Sequence, residues 1–74
     1  TESISVDSYT SIRQTASGIS TTLTNAVAGS TMTVINNSNG NNTVIGTINS
    51  EVNPTIYCGE AFTMSYDGSG WNLK

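Results

Sequence analysis

The sequence predicts an all-β fold: a small antiparallel β-sandwich or prism-like β-module of short strands and hairpins, forming a single unit over residues 1–74. Three observations predict it. Apolar residues alternate with Ser and Thr at a period of two through most of the chain. Turn signals rich in Gly, Asn and Asp recur at roughly 8–12-residue spacing. Hydrophobic residues make up 35% of the chain and charged residues only 9%, so uncharged β-formers must supply the solvated faces.

Taken in order, Ile4 and Val6 alternate with Ser3, Ser5 and Asp7, and Thr10, Ile12 and Gln14 alternate with Tyr9, Ser11 and Arg13. After Ser17-Gly18, the residues Ile19, Thr21 and Leu23 form another period-two face. Leu23, Ala26 and Val27 have helical spacing, but Thr and Asn surround them and Gly29 follows, so no helix is predicted there. The middle predicts a hairpin, Thr31 to Asn36 and Thr43 to Ile48 around Asn39-Gly40, because Asn and Gly tolerate the positive φ of tight turns. Met32 and Val34 share a face, whereas the consecutive Val44 and Ile45 predict burial on both sides or a bulge. Pro54 marks a connection, followed by a short strand from Thr55 to Cys58. The last segment predicts a terminal hairpin: Phe62, Met64 and Tyr66 on one strand, a turn at Asp67-Gly68-Ser69-Gly70, and Trp71 and Leu73 returning.

Length and composition then narrow the function. A chain of 74 residues buries only about 60% of the surface its unfolded form exposes. It needs a staple. Cys58 is the only cysteine and cannot pair within the chain, so it reads as a small core residue, and without histidine no zinc site of the usual kind can be assembled. Association with copies of itself remains as the staple. Arg13 and Lys74 are the only cationic side chains against a net charge of −3, which excludes phosphate-backbone binding and hence nucleic acid. No apolar run is long enough to predict a membrane span. The start at Thr1 rather than methionine predicts a piece of something longer.

Two stretches carry a resemblance. The run Leu23-Thr24-Asn25-Ala26-Val27-Ala28-Gly29-Ser30-Thr31-Met32-Thr33-Val34-Ile35-Asn36-Asn37 joins an apolar-Thr strand to a second strand through a short Asn-Ala and Ala-Gly link. The closing Phe62-Thr63-Met64-Ser65-Tyr66-Asp67-Gly68-Ser69-Gly70-Trp71-Asn72-Leu73 sets an Asp-Gly turn before a tryptophan. In that order they resemble segments of bacteriophage tail fibre and tailspike proteins, and with the strand region from Val6 to Gly18 the likeness covers most of the chain. Pro54 to Gly59, with Tyr57 and Cys58, departs from that pattern. The resemblance implies a longer fibrous parent protein, a homotrimer, an extracellular location in the virion tail, and a role in attaching the virion to a bacterial surface polysaccharide. The rival expectation is a monomeric carbohydrate-binding module of a secreted bacterial enzyme.

No catalytic chemistry is expected, because Ser or Cys nucleophiles need a base and the chain has no histidine. Glu51, Glu60 and Asp67 are the carboxylates from which a glycosidase pair would have to be drawn, and each has a simpler role in solubility or in a turn. Asp67 to Asn72 offers one carboxylate, too few for calcium, so no cofactor or metal is expected. The sequons at Asn36-Asn37-Ser38 and Asn41-Asn42-Thr43 fit chance in an Asn- and Thr-rich chain. Phe62, Met64, Tyr66, Trp71 and Leu73 are assigned to the core of the terminal hairpin or to packing between copies, and Tyr9 and Tyr57 to contact with a glycan.

Overall fold

The computed structural model describes residues 2–7 and 10–73. They form ten strands: β1 (Glu2–Ser5), β2 (Ser11–Gln14), β3 (Ser20–Thr24), β4 (Thr31–Asn36), β5 (Asn42–Ile45), β6 (Thr47–Ile48), β7 (Glu51–Val52), β8 (Thr55–Ile56), β9 (Ala61–Tyr66) and β10 (Trp71–Leu73). The all-β class is as expected. The predicted antiparallel pairing of successive strands is not.

The first five strands alternate between two sheets. One sheet runs β1-β3-β5-β8 and the other β2-β4-β9-β10-β6-β7. β1, β3 and β5 are mutually parallel, as are β2 and β4, so the chain winds as a β-solenoid rather than folding as a sandwich of hairpins. Glu2 pairs with Thr21, Ser11 with Thr33 and Ser20 with Thr43, giving coils of 19, 22 and 23 residues. Parallel strands need a long crossover. Here the strand in the opposite sheet supplies it.

The predicted hairpin of Thr31 to Asn36 with Thr43 to Ile48 is thereby corrected, since β4 and β5 lie in different sheets. Neither Asn39 nor Gly40 has a positive φ. Gly40 is required for space instead, because a Cβ there would stand 2.9 Å from the Ser17 Cβ. The tight two-residue hairpin is at Asn49-Ser50, between the paired β6 and β7, with φ of 50° and 69°. That is the left-handed geometry whose twist matches flanking antiparallel strands.

The winding stops in antiparallel strands. β8 pairs with β5, β9 with β4, and β10 with β9, the last two strands making the expected terminal hairpin with Trp71 opposite Tyr66. β10 also lies parallel to β6 through Trp71 and Ile48, tying the short β6–β7 hairpin to the sheet. At the opposite end β1 and β2 each have a partner on one side only among the described residues.

Between the sheets lie Met32, Val34, Val44, Ile48, Ile56 and Met64, with Val6, Phe62 and Trp71 completing the buried cluster. Inward residues are alternate ones, as strand geometry requires: in β4, Met32, Val34 and Asn36 are buried while Thr31 is exposed. Val44 is buried and Ile45 half-buried, without a bulge being needed. Pro54 begins the approach to β8 and is itself buried. The strand it introduces ends at Ile56, and Tyr57 and Cys58 stand in the exposed turn that follows. Cys58, expected in the core, is exposed because it lies in that turn. Among the described residues there is no helix.

One lateral corner of the winding is lined with buried amides. Gln14 and Asn36, in register at the ends of β2 and β4, sit beside Thr21 and Asn42. Asn42 Nδ2 donates to Gln14 Oε1 and Asn36 Oδ1, both at 3.2 Å, and to the Ala16 carbonyl at 3.1 Å. Gln14 Nε2 donates to Thr21 Oγ1 at 2.9 Å, and that hydroxyl donates to Glu2 Oε1 at 2.7 Å. Asn36 Nδ2 donates to the carbonyls of Gly40 at 2.8 Å and Ile56 at 2.9 Å. No buried side-chain nitrogen or oxygen among the described residues lacks a partner, as a polar cluster in an apolar interior demands.

Candidate functional site

Two grooves open on the surface. The larger, about 350 Å³, lies at the capped end. Its floor is the buried Ile48, Pro54 and Phe62. Its rim carries two large apolar side chains, Tyr57 at 58% exposure and Leu73 at 42%, and two carboxylates, Glu51 and Glu60.

Local backbone geometry sets that rim. The turn after β8 is closed by Glu60 N–H donating to the Tyr57 carbonyl at 2.9 Å, and Gly59 N–H donates to the Asn36 carbonyl at 2.9 Å. Glu60 Oε1 accepts from Tyr57 N–H at 2.9 Å, so one carboxylate oxygen fixes the turn that carries the ring. On the other side, Leu73 N–H donates to Asn49 Oδ1 at 3.0 Å, joining β10 to the β6–β7 hairpin. The groove thus has an apolar floor, an aromatic lip and acceptor-only oxygens. Among the described residues, none that lines it is Lys or Arg.

The smaller groove, about 320 Å³, is bounded by Leu23, Ile45, Gly46, Tyr66 and Trp71. Gly46 lies against the Trp71 ring, and the ring centroids of Tyr66 and Trp71 are 5.1 Å apart at 60°. It is a crease in the packing of the terminal hairpin and presents fewer exposed groups.

The structure separates the residues singled out by sequence. Phe62, Met64 and Trp71 are buried, Tyr66 is half-buried, and Leu73 reaches the groove rim. Tyr57 stands at the same rim, while Tyr9 lies outside the described residues. Glu51 and Glu60 come to one groove although nine positions separate them in sequence. Sequence alternation could not reveal that, because β7 and the β8–β9 turn are brought together only by the cap. Asp67 is elsewhere, in its turn. The Asn36 sequon is buried at its acceptor, whereas Asn41 is exposed. No group of three or more His, Cys, Asp or Glu is gathered among the described residues in a way that could hold a metal ion, and no helix there is long and apolar enough to cross a membrane.

Asp67 has a structural duty. Its Oδ1 accepts from Ser69 N–H and Gly70 N–H, each at 2.9 Å, and from Ser69 Oγ at 3.1 Å, while Oδ2 accepts from Asn72 Nδ2 at 3.0 Å. These donors, Ser69 N–H foremost and Asn72 next, hold the carboxyl well below the usual carboxylate range. The folded state therefore favours the ionised form, and the stabilisation is complete above the ordinary value of about 4. It drains away as the pH falls toward the lower folded value. Thermal unfolding of Asp67→Ala against the parent chain should show a gap at neutral pH that narrows below about pH 4. A gap of constant size across that range would remove the carboxylate's charge from the account.

Comparison of the chain with protein-family models, with curated proteins and with solved structures gives no match. Fold and groove together describe an all-β module of stacked coils, closed at one end by a hairpin cap that carries an aromatic and acidic groove.

Proposed function

We propose that this chain is a structural and adhesive module of a trimeric phage tail fibre or tailspike, which holds three chains together and contributes to attachment at a bacterial surface, without catalysis. The observation that carries this reading is the outer face of β4 and β9. There Thr31, Thr33, Ala61 and Thr63 stand exposed or half-buried, and neither strand contains a charged residue. Thr33 lies opposite Thr63, with their hydroxyls 3.5 Å apart. A flat uncharged β-face costs little to desolvate and fits a second copy of itself. Two further features support it: the outer edges of β1 and β2, both unpaired at one end, on which a β-rod extends by adding coils, and the likeness of the 23–37 and 62–73 segments to tail fibres.

Sedimentation equilibrium tests the assembly. The chain should sediment as a trimer, and Thr33→Arg combined with Thr63→Arg should yield folded monomers, because two outward charges cannot be buried unpaired at such a contact. A parent chain that stays folded as a monomer on dilution would favour the rival monomeric carbohydrate-binding module. A double variant that remains trimeric would move the contact away from this face.

A further inference from the structure

We infer that the groove at the capped end is a binding site for an uncharged, hydroxyl-rich sugar, with Tyr57 as its stacking platform and Glu51 and Glu60 as acceptors for sugar hydroxyls; the inference rests on the adhesive part of the function proposed above.

The chemistry of the lining selects the ligand. At about 350 Å³ the groove lies in the range of small-molecule sites, about 300–1,000 Å³. Its floor of Ile48, Pro54 and Phe62 suits a ligand with apolar C–H patches, and the exposed Tyr57 offers a flat ring at the lip. A sugar ring presents both kinds of surface: C–H groups for an aromatic face and hydroxyl donors at its periphery. The ionised carboxylates of Glu51 and Glu60 only accept, so they match hydroxyl donors. An anionic ligand would meet two like charges, with no Lys or Arg among the described lining residues to offset them. A cationic peptide would satisfy the carboxylates but not the apolar floor between them.

The site is also pre-organised. Glu60 commits Oε1 to Tyr57 N–H at 2.9 Å, so the acceptor and the backbone that carries the ring are held together before any ligand arrives. The same turn is anchored to the core through Gly59 N–H and the Asn36 carbonyl at 2.9 Å. Little backbone ordering then remains to oppose binding. Asn49, which also lines the groove, is held at the far side by its Oδ1 accepting from Leu73 N–H.

The test is calorimetric titration of the full chain with three probes: neutral dextran and galactan oligosaccharides, polygalacturonate fragments, and a lysine-rich peptide. Binding is expected from a neutral oligosaccharide, insensitive to salt, and not from the polygalacturonate. Tyr57→Ala should weaken it by about tenfold or more, Tyr57→Phe should leave it within about twofold, and both should unfold at the parent temperature because the side chain is exposed. Absence of binding by any neutral probe overturns the inference, as does equal affinity of Tyr57→Ala. Preference for the lysine-rich peptide, lost at high salt, replaces the sugar with a basic partner. Repeating the titration on the Thr33→Arg, Thr63→Arg chain separates this outcome from the assembly, since the groove is complete within one chain.

Discussion

Replacing Asn36 with alanine should cost about 2–4 kcal/mol. The side chain is fully buried and makes two donations, to the carbonyls of Gly40 and Ile56. It also accepts at Oδ1 from Ser38 N–H and from Asn42 Nδ2, each at 3.2 Å. Truncation leaves the Ile56 carbonyl without its donor, while Ser38 Oγ still donates to the Gly40 carbonyl at 3.0 Å and Asn42 Nδ2 keeps Gln14 and Ala16; each group left unsatisfied carries roughly 1–3 kcal/mol. A chain of 74 residues has a total stability of roughly 4–11 kcal/mol at the usual 0.05–0.15 per residue. The loss is therefore a large fraction of the whole. Urea unfolding measures it, with the adjacent exposed Asn37→Ala as control, expected within about 0.5 kcal/mol of the parent. A cost below about 1 kcal/mol for Asn36→Ala would mean that water replaces the amide and that the polar corner is dispensable.

Trp71→Ala should cost a similar amount, about 3–5 kcal/mol, by a different route. The indole is 4% exposed, packs on Tyr66, and is the residue through which β10 pairs with both β9 and β6. The Trp71 carbonyl also accepts from Asn49 N–H at 2.9 Å. Its removal opens a cavity at the junction of the cap. Hydrogen exchange should then show β6, β7 and β10 losing protection before β3, β4 and β5. Uniform loss across all strands would make the cap and the coils one cooperative unit. Trp71→Phe keeps most of the area and should cost only about 1–2 kcal/mol.

These two residues also mark how far the fold was legible in the sequence. Trp71 was readable, because an Asp-Gly turn between two apolar runs specifies an antiparallel hairpin by local chemistry alone. Asn36 was not. In a chain rich in Asn, Ser and Thr it looked like the end of a strand next to a turn, and its burial follows from being in register with Gln14 one coil earlier. Period-two alternation is identical for parallel and antiparallel strands. Only the connection distinguishes them, and the links at 15–19 and 37–41 have lengths equally suited to a hairpin loop. The Asn39-Gly40 pair compounded the ambiguity, because a glycine kept for close approach to Ser17 carries the same letter as one kept for positive φ. Tyr57 was legible as an aromatic without a clear inward partner. The groove around it was not, since it is assembled from five separate strands and the turns between them.

The unequal coils have a consequence for how such a chain can change. The sheets are held by rungs in fixed register, and the two links on the amide-lined side, 15–19 and 37–41, are both five residues long. On the other side the link at 25–30 has six residues and leaves Val27 at 67% exposure, with Asn25 and Gly29 at positive φ carrying the bend. Gly29 and Ser30 are bonded to Tyr66 and Ala26 packs on the core, so residues added at the exposed Val27–Ala28 tip project outward, whereas an insertion opposite would pull Asn36 or Asn42 out of its bonds. The two sides thus evolve under different rules: one tolerates lengthening and can display new sequence, and the other holds the winding to its pitch.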